Sequence, residues 1–422
     1  MELTKVKLSD VARVEISGVD KKSKPGQKNV RLCNFVDVYH NWAITQDMRD
    51  SFMEATASDK EIEALSIKKG QVAFTKDSET RDDIGIPTYI ADDFDDVVLG
   101  YHNALITPDE RKLNGKYLNA FMHSSYIQKY FENNASGSGQ RYTLSNDTVN
   151  SIPVLLPSIK NQEKIGNLFS FIDRKIALNK KMNQKLEAMA KRLYDYWFVQ
   201  YDFPDKNGHP YKTTGGPMIY NPTLKREIPV GWEVSNICPL MEILPGGTPS
   251  KAKPEYWNGD IPFFGPTDYC GDVFQLSTEE HITENGLNNC ASALYPPKTI
   301  FITARGSVGK LIVCGKPMAM NQSCYALKPF DLEKYEYLFY LTKQLIEQLK
   351  KKGSGSVFKS INTLDIEQSF MSVAPNEIID LYCKKVKSIF ERIKSNTVEI
   401  AKLTTLRDKL LPLLMNGQVE VE

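Results

Sequence analysis

The chain has 422 residues, of which 41% are hydrophobic and 25% charged, and 53 Lys and Arg stand against 52 Asp and Glu. This length allows two or three domains with cores of their own, and the ordinary composition argues against disorder. The near-neutral charge excludes a protein that coats nucleic acid through a general basic excess, so a DNA-binding surface would have to be local or shared with partner subunits.

Other global features exclude a membrane or secreted protein. No apolar run is long enough for a transmembrane helix, and the N-terminal MELTKVKLSDVARV has no apolar core of a signal peptide. Seven cysteines without a CxxC pair favour reduced thiols over a disulfide framework or a zinc site. We therefore expect a cytoplasmic protein.

In chain order, the predicted elements form a globular region, a long helix, a second globular region and a second long helix. Both globular regions contain short strand-like runs separated by Gly, Pro and Asp, followed by one helical run. A Pro/Gly-rich polar stretch between the halves is typical of a linker. The predicted segments are a first domain at 1–157, a helix at 158–202, a linker at 203–228, a second domain at 229–375 and a helix at 376–416.

The second half of the chain repeats the first, and the two long helices align when Asn179 is placed on Asn396, a shift of 217 residues. An apolar residue or an Asn recurs every seven positions in each helix, which is typical of a coiled-coil seam. A buried seam Asn costs stability but fixes the register. The alternative is two unrelated amphipathic helices on separate cores. The predicted seam positions are Ile172, Asn179, Leu186 and Leu193 in the first helix and Ile389, Asn396, Leu403 and Leu410 in the second.

The repeat extends upstream of the helices. Residues 136–158 and 352–375 each contain a Gly/Ser turn, an Asn (Asn146 and Asn362), an extended segment and a Pro before the long helix. The outer parts of the two globular regions share almost nothing. A duplicated frame with divergent outer faces predicts two recognition modules on one scaffold.

With these motifs the sequence resembles a known family, the specificity (S) subunits of type I restriction–modification systems. The resemblance covers essentially the whole chain and is specific as a set of motifs rather than through any one of them. The motifs are the PVGWE start at 229–233, GGTPS at 246–250, EYWNGDIPF at 255–263, ITARGSVGK at 302–310 and the aromatic run RLYDYWFVQYDF at 192–203.

The resemblance implies an α+β fold, in which two globular α/β target recognition domains are joined by two long helices packed as an antiparallel coiled coil, with a pseudo-two-fold internal repeat. It implies that each domain reads one half of a bipartite, asymmetric duplex DNA site. It also implies that this chain is not an enzyme and needs no cofactor or metal. Adenine methylation and restriction would belong to partners, namely two methylation subunits that bind S-adenosylmethionine and restriction/translocase subunits.

The candidate DNA-binding residues are polar side chains in loops and Gly/Ser turns. Arg can grip guanine with two hydrogen bonds, whereas Lys, Ser and free backbone N–H groups suit phosphates. In every case the alternative is a solvated loop or a turn that only connects two elements. The candidates are Thr75, Lys76, Ser78, Arg141 and Tyr142 in the first half, and Thr248, Ser250, Lys251, Arg305, Ser307, Lys310 and Lys359 in the second.

The sequence argues against catalysis by this chain. ARGSVGKL at 304–311 is not a P-loop, because its glycines are too close together and a Leu follows the Lys. There is no (D/N)PP-aromatic tetrapeptide of a DNA methyltransferase, and the five histidines lack metal-ligand spacing. The alternatives left open are a fused modification enzyme and a two-headed scaffold for another nucleic-acid or protein partner.

Overall fold

The computed structural model describes residues 2–139, 141–352 and 360–421. The chain divides into two compact units, one formed by Met1–Ala177 with Ala401–Glu422 and the other by Leu178–Ile400. Each long helix therefore contributes one segment to each unit. In the part of the chain that the structure describes, no helix is long and apolar enough to cross a membrane.

The first unit contains strands and short helices followed by the first long helix. Its strands are β1 (Thr4–Lys7), β2 (Ala12–Ile16), β3 (Lys28–Cys33), β4 (Ala43–Ile44), β5 (Met53–Ala57), β6 (Val72–Thr75), β7 (Asp77–Ser78), β8 (Pro87–Ile90), β9 (Val97–Leu99), β10 (Asn103–Pro108), β11 (Ser136–Ser138), β12 (Arg141–Thr143) and β13 (Pro153–Leu156). Its helices are α1 (Phe35–His40), α2 (Asp59–Leu65), α3 (Gly115–Met122), α4 (Ser125–Asn134), α5 (Asn146–Asn150) and the start of α6 (Ile159–Tyr194).

The second unit has the same kinds of elements. Its strands are β14 (Met218–Asn221), β15 (Arg226–Pro229), β16 (Glu233–Ser235), β17 (Met241–Pro245), β18 (Trp257–Phe264), β19 (Phe274–Gln275), β20 (His281–Ile282), β21 (Ile300–Thr303), β22 (Leu311–Cys314), β23 (Ala319–Met320), β24 (Cys324–Pro329) and β25 (Met371–Val373). Its helices are α7 (Glu284–Asn288), α8 (Tyr335–Lys352), α9 (Thr363–Glu367) and most of α10 (Asn376–Met415).

The two units are built on one sheet topology. The order is β2-β10-β6-β8-β4 in the first unit and β17-β24-β21-β22-β19 in the second. In both, the first four strands are antiparallel neighbours and the last is parallel to the fourth. The central strands β6 and β21 are buried along their whole length, which explains their continuous apolar sequences VAFT and IFIT.

The same short helix precedes the last strand and the long helix in both units. Ser145 caps α5 by accepting a hydrogen bond from Thr148 N–H, and Asn362 caps α9 by accepting one from Asp365 N–H. The capping positions that correspond are therefore Ser145 and Asn362. The sequence alignment of Asn146 with Asn362 was wrong by one residue.

Within the first unit, the segments of α6 and α10 pack on one core. Phe169 of α6 and Leu411 and Leu414 of α10 are buried in the same cluster as the helix α3 side chains. Lys164 Nζ, near the start of α6, donates to Val421 O beyond the end of α10 (3.0 Å). The two segments are therefore antiparallel.

Within the second unit, a buried hydrogen-bond network joins α6 and α10. Asn179 Nδ2 donates to Glu399 Oε2 (2.9 Å), and Asn396 Nδ2 donates to Asn183 Oδ1 (2.9 Å). Nearer the α6 end, the Tyr382 hydroxyl donates to the Ala190 carbonyl. Residue numbers rise along α6 as those of their partners fall along α10, so the pairing is antiparallel. The predicted α+β fold with an antiparallel helix pair and an internal repeat is confirmed.

Residues 203–228 are more ordered than a linker. Asp202 accepts hydrogen bonds from the N–H and hydroxyl of Thr213 (both 2.7 Å). The Phe203 ring stacks on Tyr211 and packs against Trp232, with ring centroids 4.6 and 5.4 Å apart. The segment then forms the β14–β15 hairpin. Its aromatic side chains give it an apolar anchor that its Pro/Gly content did not indicate.

Candidate nucleic-acid interface

The loop after β6 in the first unit is held by a buried threonine. Thr75 is fully buried, and its hydroxyl accepts a hydrogen bond from Ile86 N–H (3.0 Å). Its backbone N–H donates to the Ile86 carbonyl, and its carbonyl accepts from Gly85 N–H. The structure therefore contradicts a DNA contact by the Thr75 side chain, because its hydroxyl is buried and is hydrogen-bonded to the far end of the loop.

The second unit has the same hydrogen-bonding arrangement after β21. The buried Thr303 hydroxyl accepts a hydrogen bond from Lys310 N–H (2.9 Å). Its backbone N–H donates to the Lys310 carbonyl and its carbonyl accepts from Gly309 N–H. The loop between the anchors is 76–84 in the first unit and only 304–308 in the second. One frame thus presents two loops of different length and chemistry.

In the first unit, this loop joins a small exposed sheet. Strand β7 pairs with β12, so that Ser78 lies opposite Tyr142, and β12 pairs with β11. Ser78 and Tyr142 are half-buried, and Ser78 Oγ accepts from Thr80 N–H (3.3 Å). Arg81 lies over the Tyr142 ring, 5.1 Å from its centroid. Four of the predicted residues therefore lie together here, namely Lys76, Ser78, Arg141 and Tyr142.

Asp77 is the centre of a cluster of basic side chains. Lys76 Nζ lies 3.0 Å from its Oδ1, and His102 Nδ1 lies 2.5 Å from its Oδ2. Arg141 Nη2 lies 3.7 Å from the same Oδ2, and Lys76 Nζ also donates to Thr143 Oγ1 (2.7 Å). Partial burial opposes ionisation of Asp77, but hydrogen bonding to Thr143, His102 and Lys76 lowers its pKa below the usual value. Asp77 is therefore a carboxylate around which cations are ordered.

Part of this surface was not predicted from the sequence. The Tyr101 ring packs against His102 at 4.0 Å between centroids, and Lys21 Nζ lies 5.8 Å from the Tyr101 centroid. Lys21, Lys22 and Lys24 are exposed on the loop that follows β2. The KKSK run at 21–24 was the available signal. Nothing in the sequence indicated that His102, far along the chain, reaches Asp77.

In the second unit, Arg305 and Ser307 lie on the β21–β22 turn. Both are exposed, and the Ser307 carbonyl accepts from the Thr303 hydroxyl (2.5 Å). Lys310 is exposed and its Nζ lies 5.1 Å from the Tyr269 ring centroid. These three predicted residues are accessible at one edge of the sheet.

The GGTPS turn contributes residues whose side chains are partly engaged. The Thr248 hydroxyl donates to the Gln322 side-chain oxygen, so it is bound within the protein. Ser250 is exposed, and its carbonyl accepts from the Trp257 indole N–H (3.1 Å). The hydroxyl of Ser250 therefore stays a candidate contact, whereas that of Thr248 has a structural partner.

Lys251 lies beside the same indole. Its Nζ is 3.9 Å from the Trp257 ring centroid and pairs with Glu280. The ammonium group of Lys251 stays accessible, but its charge is partly neutralised by Glu280. The predicted contact at Lys359 falls outside the described residues.

The predicted seam positions are buried or half-buried. Asn183, four residues after Asn179, was not predicted as a seam position, although its side-chain oxygen accepts the hydrogen bond from Asn396. The exposed positions Met189 and Leu406 lie away from the seam, at 58% and 46% exposure. The buried seam residues are Ile172, Asn179 and Asn396, and the half-buried ones are Leu186, Leu193, Ile389, Leu403 and Leu410.

Comparison with known proteins decides the family. The family model of the type I restriction modification DNA specificity domain matches residues 2–188 and again residues 229–404. The chain belongs to this family. Two copies of the domain account for the repeated sheet topology. Among the described residues there is no group of His, Cys, Asp and Glu suited to a metal ion.

Curated relatives carry the same family name. The chain is similar to the type I restriction enzyme HindI specificity subunit of Haemophilus influenzae, with 28% identity over 404 residues, covering 84% of this chain and 87% of the relative. It is also similar to the MjaIX specificity subunit of Methanocaldococcus jannaschii, with 27% identity over 311 residues, covering 73% and 69%. This chain is a DNA sequence-specificity protein whose role is recognition.

A solved structure shares the fold. The S subunit of a type I restriction–modification system from M. genitalium superposes with a TM-score of 0.57 at 15% identity, covering 98% of this chain and 96% of that one. Because the identity is low, this likeness concerns the fold alone. It agrees with the two-copy architecture of the specificity family.

Proposed function

We propose that this chain directs partner subunits to a bipartite, asymmetric DNA site. In this proposal residues 1–157 read one half-site and residues 229–375 read the other. The long helices, predicted at 158–202 and 376–416, keep the half-sites at a fixed spacing and leave the base pairs between them unread. Each domain reads a few base pairs, chiefly in the major groove, where the four base pairs can be distinguished.

The observation that supports this proposal is one frame with two different faces. After the buried threonine of the central strand, the first unit continues into Asp77 and its cluster, whereas the second continues into Arg305 and a short turn. Different side chains on equivalent loops would select different bases, and the combined site would then be asymmetric.

We infer that catalysis belongs to the partners. Two methylation subunits would bind S-adenosylmethionine and modify adenine, and restriction/translocase subunits would join the same complex. The chain itself would supply no cofactor-binding group. The exposed Leu178, Met182 and Met189 on α6 offer apolar surface for such an assembly.

A methylation map of a methylation-free bacterial host tests the function directly. We expect that co-expression of this chain with its cognate methylation subunit yields modified adenines within a split motif with a fixed unread gap. The matched variant is a chimaera in which residues 1–157 come from another specificity protein. It should change one half-site completely and leave the other unchanged.

Two outcomes would contradict the proposal. If the complex assembles but no new modification is found, the chain would instead act as a scaffold for another partner. If the chimaera changes both half-sites, the domains do not read DNA independently.

A further inference from the structure

Arg141 stands at an exposed corner of the first unit, with its guanidinium held from one side. It is the first residue of β12, and its side chain is 70% exposed. Arg141 Nη2 lies 3.7 Å from Asp77 Oδ2, an ion-pair distance rather than a hydrogen bond, and 3.3 Å from His102 Nδ1, which itself donates to Asp77. One edge of the guanidinium therefore faces a carboxylate, while most of the side chain is open to solvent.

The carboxylate that faces Arg141 is itself fixed. Asp77 is only 13% exposed, and its two oxygens are engaged separately, Oδ1 by Lys76 Nζ and Oδ2 by His102 Nδ1. Lys76 is tied in turn to Thr143 on the same strand as Arg141. Because neither oxygen of Asp77 is free to rotate away, the anchor for Arg141 has a defined position.

A guanidinium anchored at one edge has a particular use. Arg carries five N–H donors in a rigid plane, so an ion pair at one edge of the guanidinium favours one orientation of the others. A pair of parallel acceptors in a plane is what the O6 and N7 atoms of guanine present in the major groove. The same fork can bind a phosphate, so a base contact is distinguished from a phosphate contact by the sequence dependence of binding.

The surroundings favour an approach of DNA to this corner. Lys76 and Arg141 share one carboxylate, so the cluster keeps a net positive charge at Asp77. Lys21 and Arg81, which lie over the Tyr101 and Tyr142 rings, add further cations to the same surface. The same loop also carries the exposed carboxylates of Glu79 and Asp82, so the cations are local to the cluster and are not an excess over the whole loop.

We propose that Arg141, positioned by its ion pair with Asp77, reads a guanine in the half-site of the first recognition domain. Asp77 is a positioning residue here and makes no base contact of its own. The inference rests on the proposed function, because it requires the first domain to read a half-site independently of the second.

The test uses the full chain assembled with its methylation subunit. The variants are Arg141→Ala and Asp77→Asn, with Arg13→Ala and Asp59→Asn as controls of equal charge change at exposed ion pairs of the same unit. The measurements are the methylation map and competition binding against duplexes in which each guanine of the first half-site is replaced in turn.

We expect Arg141→Ala to lower discrimination at one guanine by roughly 10- to 100-fold, the range of a bidentate base contact. Asp77→Asn should lower discrimination at the same guanine by a smaller factor, because the guanidinium stays but loses its anchor. The second half-site should not change in either variant. The two controls should reproduce the motif of the unaltered chain.

The other outcomes each decide against a definite claim. A uniform loss of affinity for all duplexes would assign Arg141 to a phosphate and overturn the inference, as would a first half-site without guanine on either strand. A split motif that Arg141→Ala leaves unchanged would overturn the inference alone. If the unaltered chain gave no split motif, the proposed function would fall, and this inference with it.

Discussion

The two units differ most where their frames are most alike. Both central strands end in a buried threonine whose hydroxyl and backbone hold the far end of the next loop. Beyond that threonine, the first unit has the long loop with the Asp77 cluster and the second has the short Arg305 turn. The sheet and its buried threonine therefore fix where the loop begins and ends, whereas the length and side chains of the loop differ between the units.

The glycines that close the two loops offer the strongest test of this comparison. Gly85 and Gly309 have φ values of +80° and +79°, and a Cβ on Gly85 would come within 2.1 Å of the Phe131 ring. On Gly309 it would come within 2.8 Å of Ile346 Cγ2. We expect Gly85→Ala to lower the free energy of unfolding by about 2–5 kcal/mol, combining left-handed strain with overpacking.

The matched variants sharpen that expectation. Gly309→Ala should cost less, about 1–3 kcal/mol, because the added Cβ would come no closer than 2.8 Å to Ile346 Cγ2, against 2.1 Å to the Phe131 ring at Gly85. Gly139→Ala is the control, since Gly139 also has positive φ but has open space around its Cβ position. Urea unfolding of the three variants measures the order. Equal losses at Gly85 and Gly139 would show that the Phe131 contact does not hold the loop.

The helix pair differs between the units as well. In the first unit the α6 and α10 segments meet through apolar side chains, whereas in the second they share the buried Asn183–Asn396 hydrogen bond. We expect Asn396→Leu to cost about 1–3 kcal/mol in unfolding free energy, because it leaves the buried Asn183 side-chain oxygen without its donor. Thermal and urea unfolding measure this loss.

A double variant distinguishes an unsatisfied polar group from poor packing. Asn183→Leu combined with Asn396→Leu removes both partners, and apolar side chains can then fill the seam. Its stability should return close to that of the unaltered chain. If the double variant were less stable than the single one, the asparagines would stabilise the helix pair by more than their mutual satisfaction.

The sequence predicted the repeat and the helices because their signals are periodic and local. It could not predict the Asp77 cluster, since His102 and Arg141 reach Asp77 only through the pairing of strands distant in the chain. It misassigned Thr75 because a threonine at a strand end has the same local sequence whether its hydroxyl faces solvent or closes a loop. The position of Asn183 was missed because the seam was inferred from a strict seven-residue repeat, and the buried contact lies four residues beyond Asn179.

A buried carboxyl at the start of α8 distinguishes the second unit from the first. Glu336 is 3% exposed, and burial raises its pKa to about 7, against an ordinary value of 4.5. In the first unit, Lys116 near the start of α3 instead lies at the surface and donates to Asn167 Oδ1. The folded second unit therefore binds a proton at Glu336 more tightly than the unfolded chain does.

Glu336 gives the second unit a pH dependence opposite in sign to that of His123 in the first unit, where burial lowers the pKa to about 3. Because the pKa of Glu336 is raised in the folded protein, the unfolded chain binds fewer protons at this residue between about pH 4.5 and 7. The contribution of Glu336 to the free energy of unfolding therefore falls as pH rises through that window and is constant above it. We expect Glu336→Gln to remove this fall. Compared with the unaltered chain, the free energy of unfolding of the variant should be about 1–2 kcal/mol more favourable at pH 8 than at pH 5. Glu347→Gln, an exposed position on the same helix, is the control and should leave the profile unchanged. Urea unfolding at a series of pH values measures both, and a Glu336→Gln profile parallel to that of the unaltered chain would show that Glu336 ionises in the folded protein without cost.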